Sequence, residues 1–246
     1  MKINLKVRFK GGKMCWIDKE STRQILRIRD KYNSSTFIET GTFVGINVRL
    51  YSFYWDEVLS CDICDEYLEI ARKYNSDRSN VFIKKQSSYN FLKNFVKEYK
   101  KQKSEDVVFI FLDAHFYDPD LSPEEKWVVV NELKALKGFK NCVICIHDFD
   151  CSGLGHCCYD GQPLGFPLVL EGIRKINPNF YLYVNTKEYC DIYNEKTIKN
   201  AKEFIINDVI LDSVKHTNSC DRLTYRGFLY CTPTELNLDN FKLRRA

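Results

Sequence analysis

Phe37-Ile38-Glu39-Thr40-Gly41-Thr42-Phe43-Val44-Gly45-Ile46 runs from an apolar pair into an acidic residue, then into a small-residue turn with two glycines. An amphipathic stretch follows, and the next apolar run, Val58-Leu59-Ser60, closes with Cys61-Asp62-Ile63. This pattern predicts a strand, a tight turn, a helix and a second strand with a carboxylate at its end. A spacing of roughly 20 residues between turn and carboxylate is what a βαβ nucleoside site requires. Gly41 and Gly45 let the backbone turn sharply and a ligand approach closely. The helix start behind them offers unpaired N–H groups.

The type of nucleoside follows from what the turn lacks. A phosphate-binding loop needs Gly-x-x-x-x-Gly-Lys-Ser/Thr, and no such lysine is present. A dinucleotide loop needs Gly-x-Gly-x-x-Gly, whereas the chain has Glu39-Thr40-Gly41-Thr42-Phe43-Val44-Gly45. An acidic residue at the strand end repels a pyrophosphate and suits a ligand with a cationic amino group. S-adenosylmethionine, with an amino acid tail and a sulfonium, is such a ligand. The competing reading is an ordinary strand–helix turn.

Outward from this segment, strands and helices alternate. Strands are expected near Thr36–Glu39, Glu57–Cys61, Val81–Lys85, Asp106–Asp113, Val143–Ile146, Phe180–Val184 and Leu223–Cys231. Helices are expected at Asn47–Tyr54, Glu66–Tyr74, from a Ser88 cap through Val96, at Glu124–Leu136 and near Pro167–Lys175. Within Asn185–Asp221, a strand at Cys190–Tyr193 and a helix at Thr197–Asp208 are anticipated. A βαβα pattern favours a parallel sheet covered on both faces.

The 246 residues suit one domain, 1–246, with an N-terminal extension over 1–34 and acceptor-side insertions at 150–166 and 185–221. With 28% charged and 44% hydrophobic residues the chain is globular. Its net charge of +4 permits an acidic partner without arguing for one. The basic run Lys97–Lys103 and the terminal Lys242-Leu243-Arg244-Arg245 read as solvated. No apolar run is long enough to span a membrane. Met1–Lys10 alternates charged and apolar residues and lacks the apolar centre of a signal peptide, so a cytoplasmic protein is expected.

The eleven cysteines fit a reducing compartment. Cys142 and Cys145 fall in an apolar strand, where a thiol acts as a small hydrophobe. Cys61 and Cys64 have metal-like spacing but no second ligand pair. Cys151, His156, Cys157 and Cys158 form the densest thiol–imidazole cluster, read as a polar loop ahead of a zinc site.

Two further motifs follow strongly apolar runs: Leu112-Asp113-Ala114-His115 and Ile146-His147-Asp148-Phe149-Asp150. Both should reach the carboxyl rim of neighbouring central strands, where open α/β sheets bind ligands. Converging carboxylates and imidazoles can perform acid–base chemistry or hold a divalent cation. They can also be structural, with Asp113 and Asp148 capping loops. The segment from Asp150 to Phe166, with Tyr159-Asp160-Gly161-Gln162-Pro163, reads as a loop able to close over that rim and stack on a ring or sugar.

Taken together, Glu39–Gly45, Asp62 and Phe111-Leu112-Asp113-Ala114-His115 resemble the class I S-adenosylmethionine-dependent methyltransferases over roughly residues 35 to 150. The resemblance implies an α/β, Rossmann-like, doubly wound and mostly parallel seven-stranded sheet with helices on both faces. It implies that Asp62 binds the ribose hydroxyls and that Glu39, Gly41, Thr42 and Gly45 surround the amino acid tail. Gln86 and Ser87 would lie near the adenine, with Asp113 also in the cofactor site. The chain is further similar to metal-dependent O-methyltransferases of the catechol and macrolide-sugar type, with Asp113, His147 and Asp148 as the ligand set. Mg²⁺ or another divalent cation is implied. His147 departs from the family's carboxylate or amide, and a hard cation prefers oxygen.

The expected reaction is methyl transfer from S-adenosylmethionine to a hydroxyl of a small molecule or sugar, with His115 or His147 as catalytic base. Another acceptor, nitrogen or nucleic acid, is the alternative, although no Asn/Asp-Pro-Pro-Tyr/Phe or Pro-Cys motif is present. A non-catalytic domain that binds a ligand or partner is the third reading. A homo-oligomer is compatible with all three.

Overall fold

The structure is a computed structural model describing residues 19–102, 104–114, 127–151, 158–159, 162–186, 205–206, 209–210, 227–238 and 243–246. Its centre is an eight-stranded sheet. The strands are β1 (Thr36–Thr40), β2 (Glu57–Asp62), β3 (Val81–Lys85), β4 (Val108–Leu112), β5 (Cys142–Phe149), β6 (Tyr181–Asn185), β7 (Gly227–Thr232) and β8 (Leu243–Arg245). Their order is β8-β6-β7-β5-β4-β1-β2-β3. β3, β2, β1, β4 and β5 are mutually parallel, while β7 runs antiparallel to both β5 and β6, and β8 antiparallel to β6.

The expectation of seven strands is therefore corrected to eight, with an antiparallel edge. The all-parallel dinucleotide-binding order is 3-2-1-4-5-6. Here a late strand, β7, inserts between β5 and β6 and reverses direction. The chain winds outward from β1 to β3, then returns across the sheet to β4. The topological switch point thus falls between the carboxyl ends of β1 and β4, the position at which open α/β sheets bind ligands.

Helices cover both faces, as the βαβα pattern predicts. On one face α1 (Lys19–Tyr32) and α2 (Ile46–Tyr51) bury Ile25, Ile28, Val48, Leu50 and Tyr51 against Phe37, Phe109, Phe111 and Cys145. On the other, α4 (Ser88–Gln102), α5 (Val128–Ala135) and α6 (Phe166–Ile176) bury Phe91, Leu92, Leu133 and Ile173 against Ile38, Ile110 and Ile144. Between them in sequence, α3 (Asp65–Tyr74) buries Leu68 and Ala71. β4 and β5 are buried at every position, which explains their unbroken apolar runs.

Other boundaries shift for local reasons. α4 includes Ser88, so the capping position belongs to Ser87, whose carbonyl accepts the Phe91 N–H at 2.9 Å. The helix anticipated through Asp208 does not extend there, because Ile205–Ile206 pairs antiparallel with Val209–Ile210. The strand-like Met1–Lys10 and the expected strand at Cys190–Tyr193 lie outside the described residues. Among the described residues no helix is long and apolar enough to cross a membrane.

The segment read as an N-terminal extension contributes α1 to the core. Ile25, Ile28 and Tyr32 recur at helical spacing, a signal visible in the sequence. Asn185 of β6 accepts the Phe228 N–H at 2.7 Å and donates through Nδ2 to Gln24 Oε1 at 3.1 Å. The Tyr230 hydroxyl donates to the same Gln24 oxygen at 3.1 Å. These buried bonds tie α1 to the antiparallel edge of the sheet.

β5 and β7 meet through a bulge. Phe228 lies opposite His147 and Gly227 opposite Phe149, which leaves Asp148 as the extra residue, with φ of 59°. Its effect shows in the packing. Val143 and Cys145 face α1, yet Phe149 packs on the α4–α6 face with Ile144. Gly227 is required at this bulge, since a Cβ there would lie 2.2 Å from the Phe149 carbonyl oxygen and 2.4 Å from Cys151 Sγ. Gly227→Ala is expected to cost about 1–3 kcal/mol through overpacking, measured as a lower urea midpoint at unchanged m.

Candidate functional site

The predicted turn folds as a compact bracket across β1, β2 and β4. Gly41, with φ of 80°, donates its N–H to the Cys61 carbonyl at 3.0 Å, and Thr42 donates to the same oxygen at 3.1 Å. A Cβ at Gly41 would stand 2.8 Å from the Asp113 carbonyl oxygen. Only glycine permits both this φ and this approach. Gly45 is the N-cap of α2 and packs on α3, its carbonyl accepting Asn75 Nδ2 at 3.1 Å. Thr42 is buried, its hydroxyl 2.6 Å from that of Ser60.

Asp62 joins the turn to the start of α3. One carboxylate oxygen accepts the Phe43 N–H and the other the Cys64 N–H, both at 2.9 Å. Each oxygen keeps a further lone pair for a ligand hydroxyl. Gln86 donates its N–H to the Asp62 carbonyl at 3.0 Å, placing it beside that carboxylate at the rim, while the adjacent Ser87 is exposed. Ile63, next to Asp62, is 58% exposed. The sequence pattern did not single it out, although an exposed apolar side chain beside the Asp62 carboxylate is a surface on which a planar ring can stack.

Glu39 sits at the floor, only 1% exposed. Its Oε2 lies 3.4 Å from the Ser60 hydroxyl, and its Oε1 has no hydrogen-bond partner. Burial pushes this carboxyl well above the usual carboxylate range, and the nearby charges of Asp113 and Asp62 push it the same way. The nearby Asn47 side chain and the Ser60 hydroxyl act against the shift without cancelling it. Asn47 is a second contributor that the sequence pattern did not single out.

Asp113 follows β4, its N–H donating to Thr40 Oγ1 at 3.2 Å. Its carboxylate lies 2.5 Å from His147 Nδ1, with side-chain exposures of 9% and 1%. His147 stands between the rings of Phe111 and Phe228, at centroid distances of 5.8 and 4.9 Å. Its Nε2 is 3.7 Å from Asp148 Oδ1 and makes no hydrogen bond. Successive residues of a flat strand point to opposite faces. The bulge re-aims Asp148 so that it stands beside His147.

This geometry brings Asp113, His147 and Asp148 together, as the sequence reading anticipated, and their ligand-type atoms lie within 4.8 Å of one another. The imidazole is almost fully buried, and the Asp113 carboxylate is the more exposed of the pair. His115, the other candidate base, lies outside the described residues, as do His156 and Cys157.

The chain thus forms an open α/β sheet with Glu39, Asp62 and Asp113 at the carboxyl ends of β1, β2 and β4 around its switch point. No family model matches the chain, and no curated protein matches it. Among solved structures it is similar to an rRNA methylase from Streptococcus thermophilus, at 11% identity and a TM-score of 0.48, over 90% of this chain and 100% of that one. It is also similar to an S-adenosylmethionine-dependent methyltransferase from Anabaena variabilis, at 16% identity and 0.42, over 66% and 72% of the two chains. A third is an RNA methyltransferase from Salinibacter ruber in complex with S-adenosyl-L-homocysteine, at 17% identity and 0.34, over 55% and 79%. These are similarities of fold; the chemistry of the crevice follows from its own residues.

Proposed function

We propose that the chain binds S-adenosylmethionine in the β1–β2–β4 crevice and transfers its methyl group to a hydroxyl of a small molecule or sugar. The observation that carries this reading is Glu39. A buried carboxyl with an unpartnered oxygen, held among two other carboxylates, favours a ligand that brings positive charge. The methionine ammonium supplies that charge, Asp62 offers acceptors to the ribose diol, and Ile63, Gln86 and Ser87 border the adenine. Isothermal titration calorimetry should show binding of S-adenosylmethionine and not of NAD. Heat from neither ligand overturns the reading.

Methyl transfer to oxygen is an in-line displacement, so the protein contributes orientation and a proton acceptor. Asp113 is the carboxylate at the rim, and His147, donating through Nδ1, fixes its rotamer and stabilises its charge. Asp113 accepts the hydroxyl proton as the oxygen attacks.

A second reading is favoured by the cluster itself. Asp113, His147 and Asp148 fit a divalent cation, because their ligand-type atoms lie within 4.8 Å of one another and the buried Nε2 of His147, 3.7 Å from Asp148 Oδ1, has no hydrogen-bond partner. Such a cation would acidify the acceptor hydroxyl. One imidazole with two carboxylates suits Mn²⁺, Fe²⁺ or Zn²⁺ better than Mg²⁺. Under this reading Mn²⁺ raises the melting temperature of chelator-treated protein, and Asp148→Asn abolishes the rise. No thermal shift with any divalent ion removes the metal and leaves Asp113 as the base.

A further inference from the structure

We propose that the outer corner formed by β3 and α4 is a docking surface for single-stranded nucleic acid. Three large apolar side chains are exposed among the described residues: Ile63, Phe82 at 48% and Tyr89 at 36%. All three border this corner. Ile63 follows β2, Phe82 lies on β3, and Tyr89 opens α4. Among the described residues β3 is the last strand of the sheet, and no described strand pairs with its outer backbone edge.

Phe82 and Lys84 share one face of β3, since residues two apart in a strand point the same way. That face is the α4 face, because Leu59, the register partner of Phe82, packs with Phe91 and Leu92. On α4 the exposed Tyr89, Lys93, Lys97 and Lys100 recur at spacings of three and four, which forms one stripe. The opposite flank carries Phe95 and Tyr99, which pack on Phe139. The basic stripe therefore looks away from α5, towards the β3 edge. Lys93 Nζ stands 5.6 Å from the centre of the Tyr89 ring.

The charge of this corner is only partly compensated, by Asp65 and by Glu98, which lies near Lys97 as well as Lys101. Lys85 pairs with Asp65 and Lys101 with Glu98, whereas Lys84, Lys93, Lys97 and Lys100 form no ion pair with a described residue. Alternating cations and aromatic rings match a strand of phosphates and unstacked bases: lysines track the backbone and the rings stack on the bases. The overall charge of +4 conceals this segregation. A protein strand added to β3 is the weaker fit, because lysines at a sheet edge oppose strand addition. A duplex keeps its bases stacked internally and offers the rings nothing. The inference rests on the fold of this corner and not on the methyltransferase reading, so either can fail alone.

The test is fluorescence anisotropy of the full chain, without S-adenosylmethionine, using a labelled 20-mer of oligo-uridine, oligo-thymidine and a duplex of equal length. Binding to single strands is expected, with log K falling against log salt at a slope near −3, as about four phosphate contacts imply. Lys84→Glu with Lys93→Glu should flatten that slope by about half. Phe82→Ala with Tyr89→Ala should weaken binding by about 10-fold or more at unchanged slope. These are surface changes, and an unaltered melting temperature confirms that each variant folds. Absence of binding at 50 mM salt overturns the proposal. So does equal affinity for duplex, or indifference to the aromatic pair, which would mark a nonspecific polycation. Loss of self-association in the variants, seen by sedimentation without any oligonucleotide binding, would assign the corner to a second copy and equally overturn it.

Discussion

Glu39→Gln is expected to bind S-adenosylmethionine at least about 30-fold more weakly than the parent, the lower end of what removing one partner of a buried charge pair costs. The amide keeps the size and most hydrogen-bonding capacity of the carboxyl and loses only the charge available to the ammonium. The same substitution should stabilise the ligand-free protein at high pH. In the unfolded chain the Glu39 carboxyl ionises near about 4.3. In the folded protein burial holds its pKa well above that, so the folded state keeps the proton longer. Stability contributed by the neutral form is complete below the unfolded value and declines as pH rises towards the folded one. The substituted amide has no such proton to lose, so the variant should melt above the parent at pH 8 and alongside it near pH 4. Calorimetry for binding and thermal melts across pH separate the two effects. Equal cofactor affinity in the two proteins would remove Glu39 from the ammonium site.

Asp113→Asn should lower kcat by about 10²- to 10⁴-fold, the range for loss of a positioned acid–base group. The amide oxygen of that variant can still accept from His147 Nδ1, so the local packing survives. KM for S-adenosylmethionine should move far less than kcat, because Asp113 meets the acceptor more than the donor. Release of S-adenosylhomocysteine with hydroxylated acceptors measures both. A second readout needs no acceptor. The charge of Asp113 helps to raise the pKa of Glu39, so its removal lets Glu39 ionise at lower pH. The pH dependence of cofactor binding should shift downward accordingly. Full activity in Asp113→Asn would exclude the residue from the chemistry.

Much of the parallel half of the fold was legible because its signals are local. β1, β2, β4 and β5 announce themselves as apolar runs that end in Glu39, Asp62, Asp113 and Asp148. Such runs mark strands buried on both faces, and the acids mark where those strands reach the rim. The chain order strand, turn, helix, strand then places those rims together through right-handed crossovers. α1 was also legible in the Ile25, Ile28 and Tyr32 spacing, yet it was read as an extension, because helical periodicity alone does not say which surface an element covers.

The carboxylates at the strand ends and the glycine turn are thus determined by sequence alone, since strand propensity, chain reversal and charge are properties of short segments. Tertiary structure decided what those groups do. β7, from far along the chain, inserts beside β5 and forces the bulge that turns Asp148 towards His147. Register with that strand also buries His147, which leaves the Asp113 carboxylate the more exposed of the pair. Burial beside Asp113 and Asp62 converts Glu39 from an ordinary acid into one whose pKa stands well above the usual carboxylate range. These outcomes depend on pairing and desolvation by residues distant in sequence, and no local pattern encodes them.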